Sequence, residues 1–184
     1  MALISQSDVE ARLGRTLTAE EATAFTVINA ALQSYVESLI GSSVEAAPVA
    51  TRYYDGGVQN LSIDPCTDVS SVKYVDEFEN VEYTFTDDEY TLEPRNKTLK
   101  TWIRRRYKAF GRGFNNIAIA AKFSIYGDTD TLNVVKEAMI QYLASEVQDN
   151  SNIKKESIEG YSVEYATTES RAALSTIKYL FPEV

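Results

Sequence analysis

The sequence holds few residues that could carry catalysis or bind a metal. It has no histidine, which excludes the common zinc sites and the catalytic triads that use an imidazole base. The single cysteine, Cys66, follows Pro65 with no base beside it, so we expect a buried, unreactive thiol. The 27 acidic residues show no spacing that selects a general acid and base. We therefore predict no catalytic residue, no metal ligand, no cofactor and no enzymatic activity.

Two short motifs begin like ligand-binding loops but do not complete the pattern. Residues 128–130 open like a calcium loop, yet Leu132 stands where an oxygen ligand is needed and Asn133 where a glycine is needed. Residues 111–114 lack the third glycine of the dinucleotide-binding motif and precede a strand pattern rather than a helix. The same stretch misses three positions of the RNA-binding RNP1 pattern. Neither motif predicts a site.

Positive charge is concentrated in residues 95–126, which we call the basic segment. It contains nine basic residues and no acid, so it carries +9, and because the whole chain carries −9 the remainder carries −18. Such a segregation predicts that an acidic partner surface faces this segment. The nine residues are Arg95, Lys97, Lys100, Arg104, Arg105, Arg106, Lys108, Arg112 and Lys122.

The basic segment alternates between apolar and polar residues in a way that is typical of strands. From residue 117 to 125, every second residue is apolar, which predicts a strand with one buried face. In residues 99–107, alternation places Trp102, Arg104 and Arg106 on one face and Ile103 and Arg105 on the other. We expect residues 99–107 to pair with residues 116–126 as a hairpin arm. Its basic tip would then consist of Arg104, Arg105, Arg106, Lys108 and Arg112.

Three kinds of partner are open for this basic tip. Nucleic acid fits the basic residues and the interleaved Trp102, Tyr107 and Phe110, which could stack on bases, but a chain with a pI near 4.6 would repel phosphate elsewhere. A tip that only faces solvent is the second possibility. A protein surface is the interpretation we favour, because arginine pairs well with carboxylates and the acidic turns of a neighbouring copy would supply them.

Helical patterns flank a region of strands. Ser7 and Glu10 have capping-box spacing before a short helix that ends at Gly14, and Thr18 and Glu21 open a second helix of about 22 residues that ends at Gly41. Strands are predicted over residues 52–54, 59–63, 71–75, 81–85 and 89–92, with turns at Gly56-Gly57 and Asp64-Pro65 and acidic residues in the turns.

The pattern is helical again after residue 127. Asp128 or Asp130 caps this third helix, residues 148–155 form a polar loop, and residues 161–165 form a short strand. Thr167 or Thr168 caps a last helix that ends at Pro182.

These elements predict an α+β fold in a single domain of 184 residues. Residues 1–48 and 128–184 form a helical bundle, and residues 49–127 form an inserted antiparallel β region that carries the hairpin arm. The sequence shows neither a signal peptide nor an apolar run long enough to span a membrane. We therefore expect a protein that is made in a cytoplasm and has no membrane partner.

Five stretches together resemble the head-tail connector adaptors of tailed bacteriophages. They are SDVEARLGRTLTAEEATAF at residues 7–25, TRYYDGG at 51–57, LSIDP at 61–65, NIAIAAKFSIYG at 116–127 and GYSVEY at 160–165. The resemblance covers nearly the whole chain and consists of caps, turns and strand-to-helix junctions. The middle sheet is longer than a minimal adaptor needs, which leaves the role of the insertion open.

The resemblance implies a structural virion protein of the neck. Such an adaptor forms a ring, typically of twelve copies, under the portal, extends the DNA channel towards the stopper or tail-completion protein, and lets DNA pass without specific binding. Residues 170–184 would be the helix that docks on the portal. Its contact residues would be Ile177, Tyr179, Leu180 and Phe181. A stopper or tail-completion protein of the same neck, and a nucleic-acid-binding module built on residues 95–112, remain the alternatives.

Overall fold

The computed structural model describes residues 3–151, 172, 175–179 and 181. The fold is α+β, as predicted. The chain forms two compact units, a helical unit that contains α1 and most of α2 and α3, and a β unit that contains residues 40–132. The elements in chain order are α1 (Gln6–Leu13), α2 (Ala19–Ile40), β1 (Ala50–Tyr54), β2 (Asn60–Val75), β3 (Val81–Thr84), β4 (Tyr90–Glu93), β5 (Lys100–Arg105), β6 (Ile117–Lys122) and α3 (Thr129–Ser151).

Helix α1 begins two residues before the position that the sequence pattern indicated. Its N-cap is Ser5, whose hydroxyl accepts from the amide of Asp8 at 3.3 Å, while the Asp8 carboxylate accepts from the amide of Ser5 at 2.9 Å. The predicted Ser7 and Glu10 box is therefore wrong. Glu10 instead accepts a hydrogen bond from the amide of Leu17 at 3.0 Å, so it stabilises the connection to α2 rather than the start of α1.

Helix α2 begins and ends as predicted and is 22 residues long. The Thr18 hydroxyl accepts from the amide of Glu21 at 3.2 Å, and the Glu21 carboxylate accepts from the amide of Thr18 at 2.8 Å. Arg15 donates to both oxygens of that carboxylate, at 2.8 and 2.7 Å. After α2, Gly41 adopts a φ of 73°, the left-handed conformation that ends helices.

Substituting Glu21 by glutamine should lower the stability of the protein at neutral pH. The stability of the variant should also change less as the pH falls from 6 to 2. The Arg15 guanidinium and the Thr18 amide lower the pKa of Glu21 from 4.5 to about 2. Because the folded pKa is depressed, this contribution is complete above pH 4.5 and is lost as the pH falls towards 2. Thermal unfolding from pH 6 to pH 2 measures it, with Glu20→Gln, an exposed neighbour, as control. Equal pH profiles for the wild type and Glu21→Gln would contradict the assignment.

Helix α3 supplies the apolar stripe of the helical unit. Val135, Met139, Leu143 and Val147 are all fully buried, at the helical spacing that predicted them. Asp128 caps the helix, since its carbonyl accepts from the amide of Leu132 at 2.9 Å. The helix continues to Ser151, so the prediction of a loop is wrong for residues 148–151. The predicted strand at residues 161–165 and the cap at Thr167 or Thr168 lie outside the described residues.

The predicted hairpin between residues 99–107 and 116–126 is not formed. All pairs between the strands β1 to β6 are antiparallel, and the strand order is β1-β6-β2-β5-β4, with β3 paired to β2. Strand β5 therefore pairs with β2 and β4, while β6 pairs with β1 and β2. The physical reason is that β2 lies between β5 and β6. It forms the backbone hydrogen bonds that β5 and β6 were expected to form with each other.

Strand β2 joins two predicted strands into one of 16 residues. Its first part pairs with β5 and its second part with β6 and β3. The predicted turn at Asp64-Pro65 is instead an irregularity within the strand, because the pairing register shifts between Ser62 and Cys66. Proline, which has no amide hydrogen, is tolerated at such a position. The apolar core of the unit comprises Leu61, Ile63, Cys66, Val72, Phe85, Tyr90, Ile103, Phe110, Ile117, Ile119, Ala121 and Phe123.

Candidate functional site

Four loops meet at one end of the β unit, and we call residues 55–59, 76–80, 86–89 and 106–116 the tip loops. Backbone hydrogen bonds join three of them, residues 55–59, 86–89 and 106–116. The amides of Gly56 and Gly57 donate to the carbonyls of Gly113 and Phe110 at 3.0 and 3.1 Å, and the amide of Arg106 donates to the carbonyl of Glu89 at 3.0 Å. Three exposed aromatic residues, Phe78, Tyr107 and Phe114, and three exposed basic residues, Arg106, Lys108 and Arg112, lie on these loops.

Arg105 does not lie on the surface with the other basic residues. It is only 6% exposed, and its guanidinium lies 4.8 Å from the centre of the Phe85 ring and 5.7 Å from that of Phe110. It also approaches the Glu89 carboxylate at 3.5 Å and donates to the Tyr74 hydroxyl at 3.5 Å. The prediction of Arg105 as a contact residue is corrected accordingly, because its side chain is part of the core that holds the tip loops.

The other four predicted contact residues, Arg104, Arg106, Lys108 and Arg112, are exposed. Arg106 donates to the carbonyls of Tyr90 and Asp87 at 3.3 and 3.4 Å. Within the ranges that the structure describes, the charged groups of Arg104, Lys108 and Arg112 have no hydrogen-bond or ion-pair partner. These three cations are therefore available to a partner molecule.

An open cleft of about 490 Å³ lies beside the tip loops, and we call it the aromatic cleft. Trp102, on the exposed face of β5 with Arg104, forms one wall, and Phe114, which is 82% exposed, forms another. The Cγ of Arg112 lies beside Gly57, next to the cleft residue Val58. The lining residues are Tyr53, Tyr54, Asp55, Val58, Asn60, Leu61, Ser62, Trp102, Phe114 and Asn115. The cleft can hold an apolar group with negative charge at its rim.

The sequence pattern found only part of this cleft. It singled out Trp102, Tyr107 and Phe110 as candidate stacking residues, but Phe110 is buried at 2% exposure and Tyr107 is not a lining residue. Phe114 was not predicted, although its position among glycine and asparagine residues is a signal of an exposed aromatic in a loop.

The turn at residues 76–80 is an acidic projection with an aromatic apex, and we call it the acidic knob. The Asp76 carboxylate accepts from the amides of Phe78 and Asn80 at 2.9 and 2.8 Å, and hydrogen bonds from Asn80 lower the pKa of Asp76. Phe78 is 75% exposed, with Glu77 and Glu79 on either side. The sequence predicted the acidic turn but not the exposed phenylalanine at its apex.

The C-terminal residues that were predicted to dock on the portal differ in exposure. Residues 175–179 are helical, and Ile177 is buried at 1% exposure, so it packs within the protein and is not free for a partner. Tyr179 is 88% exposed, and Phe181, which is half-buried, donates its amide to the carbonyl of Ile177 at 3.3 Å. Leu180 lies outside the described residues.

Cys66 should react with thiol reagents only when the β unit unfolds. The side chain is fully buried, and burial raises the pKa of the thiol to about 12, so almost none of the nucleophilic thiolate is present at neutral pH. Thiol titration with and without urea tests this expectation. Rapid labelling of the folded protein at pH 7 would contradict it.

The described residues contain no cluster of three or more histidine, cysteine, aspartate or glutamate side chains that could hold a metal ion. Among the helices that the structure describes, none has the length and apolar character needed to cross a membrane.

Comparison with known proteins gives a structural match but no sequence match. The sequence matches no protein-family model and no curated protein. The fold is similar to that of a chain in the neck of an empty GTA particle computed with C6 symmetry, with a TM-score of 0.54, 12% identity, and coverage of 95% of this chain and 88% of the other.

A second similar chain comes from the neck of a native GTA particle computed with C12 symmetry. Its TM-score is 0.48 at 12% identity, with 86% of each chain covered, which is too low to carry an argument. GTA denotes a gene transfer agent, a phage-like particle. The first comparison shows that this protein shares its fold with a chain from the neck of such a particle.

Proposed function

We propose that this protein is a head-tail adaptor of a tailed virion. In this role it forms a ring under the portal, extends the DNA channel and links the capsid to the stopper or tail. The observation that carries the proposal is the likeness in fold, over 95% of the chain, to a chain from the neck of a phage-like particle. The agreement is informative because the order of caps, strands and helices indicates the same class of protein independently.

A ring of twelve copies fits this proposal. A neck computed with C6 symmetry contains each of its chains in a multiple of six, and twelve is one such number. Each copy carries a charge of −9, so the ring is strongly acidic and offers the DNA that passes through it few places to bind. DNA is thus a passing cargo rather than a specific ligand.

Two groups of residues are assigned to protein partners in this proposal. The basic residues Arg104, Arg106, Lys108 and Arg112, exposed on the β unit, face a neighbouring subunit or neck protein. The exposed Tyr179 faces the portal, and we assign Phe181 to the same contact; Leu180, which lies outside the described residues, stays a prediction. Arginine and exposed aromatic residues are common at the centres of protein interfaces, which supports both assignments.

The experiment that tests the adaptor function is assembly with the portal protein of the same virion. Sedimentation of this protein alone and mixed with the portal ring should show a new complex, and electron microscopy should place a ring of this protein under the portal. Reversing Arg104 and Lys108 to glutamate should leave the monomer folded but reduce incorporation into that ring. A protein that ignores the portal would contradict the proposal, and density further down the neck would favour the stopper or tail-completion alternative.

A nucleic-acid-binding module is the second candidate, since Trp102 and Phe114 are exposed beside Arg104 and Arg112. Bases stack on such aromatics and phosphates pair with such cations. The net charge of −9 opposes this function, because most of the surface would repel phosphate. Fluorescence anisotropy with labelled single- and double-stranded DNA across a salt series decides between the two. An adaptor should bind little at about 150 mM salt, whereas phosphate contacts would give tight binding that falls steeply with salt.

A further inference from the structure

We propose that the acidic knob of one copy inserts Phe78 into the aromatic cleft of a second copy, and that this contact links neighbouring subunits. The inference rests on the proposed ring and names the two surfaces that would form it. Phe78 is 75% exposed and is flanked by acids, whereas the cleft is lined by Tyr53, Trp102 and Phe114 and has arginines beside it. The knob therefore offers an aromatic ring and negative charge, and the cleft offers aromatic side chains with positive charge beside them.

The knob is held in one conformation before it meets a partner. The Asp76 carboxylate accepts three hydrogen bonds, from the amides of Phe78 and Asn80 and from the Asn80 side chain, at 2.8 to 2.9 Å. Glu79 adopts a φ of 62°, and its carboxylate accepts from the Tyr53 hydroxyl at 2.8 Å. A preformed turn loses little conformational entropy on binding, so an exposed phenylalanine at its apex is suited to act as an anchor.

The cleft supplies the complementary charges. The guanidinium groups of Arg104 and Arg112 have no partner among the residues that the structure describes, and Glu77 on the knob is exposed and has none either. The one carboxylate in the cleft, that of Asp55, already accepts from the amide of Asn115 at 2.8 Å. An acidic aromatic turn therefore meets cations at the rim and ring faces inside.

A second copy is the occupant because its knob supplies the acids and the exposed ring that suit the cleft, whereas the knob does not fill the cleft of its own chain. Phe78 is not among the lining residues, and the hydrogen bond from Tyr53 holds Glu79 at the rim. Each copy thus carries one knob and one unfilled cleft. A contact between unlike surfaces repeats from copy to copy and closes into a ring when the rotation permits.

The experiment mixes two variants that each keep one of the two surfaces. The knob variant, Phe78→Ser, retains the cleft, and the cleft variant, Arg112→Glu with Phe114→Ser, retains the knob. All three changes are on exposed side chains, so both proteins should fold. The chain has a single tryptophan, and Trp102 lies in the cleft, so its indole N–H signal in a nitrogen-15 spectrum reports occupation directly.

Titrating the labelled knob variant with the unlabelled cleft variant should shift the Trp102 signal and saturate at one to one, with no larger species. In a second titration, the unlabelled protein is the knob variant, which lacks Phe78. The apparent affinity should then be about thirtyfold weaker or more, as expected for the loss of a central anchor residue. Tyr107→Ser, which removes an equally exposed aromatic outside the cleft, and Lys97→Glu, an exposed charge reversal in the turn before β5, are the matched controls. Adding either change to the cleft variant should not alter the titration.

Two results would overturn the inference: an unshifted Trp102 signal at millimolar protein, or equal shifts with both titrants. The adaptor function is scored separately, by the assembly of the wild type on the portal. If the wild type forms a ring there and Phe78→Ser forms it equally well, the knob contact is wrong and the adaptor function stands. If the wild type does not join the portal but the two variants still pair, the contact stands and the adaptor function is wrong.

Discussion

Replacing Arg105 by alanine should lower the free energy of unfolding by about 3 kcal/mol, the scale of losing a large, charged and buried side chain. The substitution leaves a cavity beside Phe85 and Phe110, because the guanidinium contacts both rings. It also removes the ion pair with Glu89 and the hydrogen bond to the carbonyl of Ala109. The tip loops would lose the side chain that joins residues 86–89 to residues 106–116.

Arg104→Ala is the matched control, since the neighbouring side chain is exposed and its removal should change stability by less than about 0.5 kcal/mol. Urea unfolding followed by circular dichroism measures both variants. Arg105→Lys should recover only part of the loss, because an ammonium does not stack on ring faces as a planar guanidinium does. Equal stability of Arg104→Ala and Arg105→Ala would show that the stack contributes nothing.

Replacing Gly56 by alanine should destabilise the protein by about 2 kcal/mol, as overpacking of a tight contact does, and should distort the aromatic cleft. An added Cβ would lie 2.0 Å from the carbonyl oxygen of Gly111 and 2.8 Å from the side-chain oxygen of Asn116. The first neighbour is backbone and cannot turn aside. The two loops would have to separate, which would break the hydrogen bond from the Gly56 amide to the Gly113 carbonyl.

Gly111→Ala provides the comparison within the same pair of loops. The nearest neighbour of its added Cβ would be the Tyr74 side chain, at an ordinary contact distance of 3.4 Å, so a change of less than about 0.5 kcal/mol is expected. Thermal unfolding gives the stability of each variant, and Trp102 fluorescence reports the cleft. A Gly56→Ala protein with wild-type stability and an unchanged emission spectrum would contradict the close packing of these loops.

The helices and strand positions could be predicted from the sequence because their signals are local. The Thr18 and Glu21 spacing and the apolar period gave both ends of α2, and alternation gave the buried face of β6. Pairing could not be predicted in this way. Residues 99–107 and 116–126 are neighbours in sequence, which favoured a hairpin. Strand β2 competes for both, although its paired residues lie 34 to 55 positions away in the chain, and no local pattern reveals such a competitor.

Arg105 shows the same limit at a single residue. Alternation correctly placed it on the face of Ile103, opposite Arg104, yet its charge suggested exposure with its neighbours. Of the residues that contact it in the core, Phe85 and Glu89 come from another segment, and Phe110 comes from the loop that follows β5. A lone buried arginine becomes predictable only when its aromatic and acidic partners are known in space, and the same holds for the cleft between Trp102 and Phe114.

The length of β2 makes the β unit a single cooperative block. Its first part pairs with β5 and its second with β6, so neither pairing can open fully without disturbing the strand that holds the other. Amide hydrogen exchange within β5 and β6 should then require the same opening event and converge on one protection level. Strand β3, which pairs with β2 alone and is exposed throughout, should exchange earlier. Slow, uniform amide exchange in β5 and β6 with fast exchange in β3 would show that the β unit opens as one block and that β3 is held loosely at its edge.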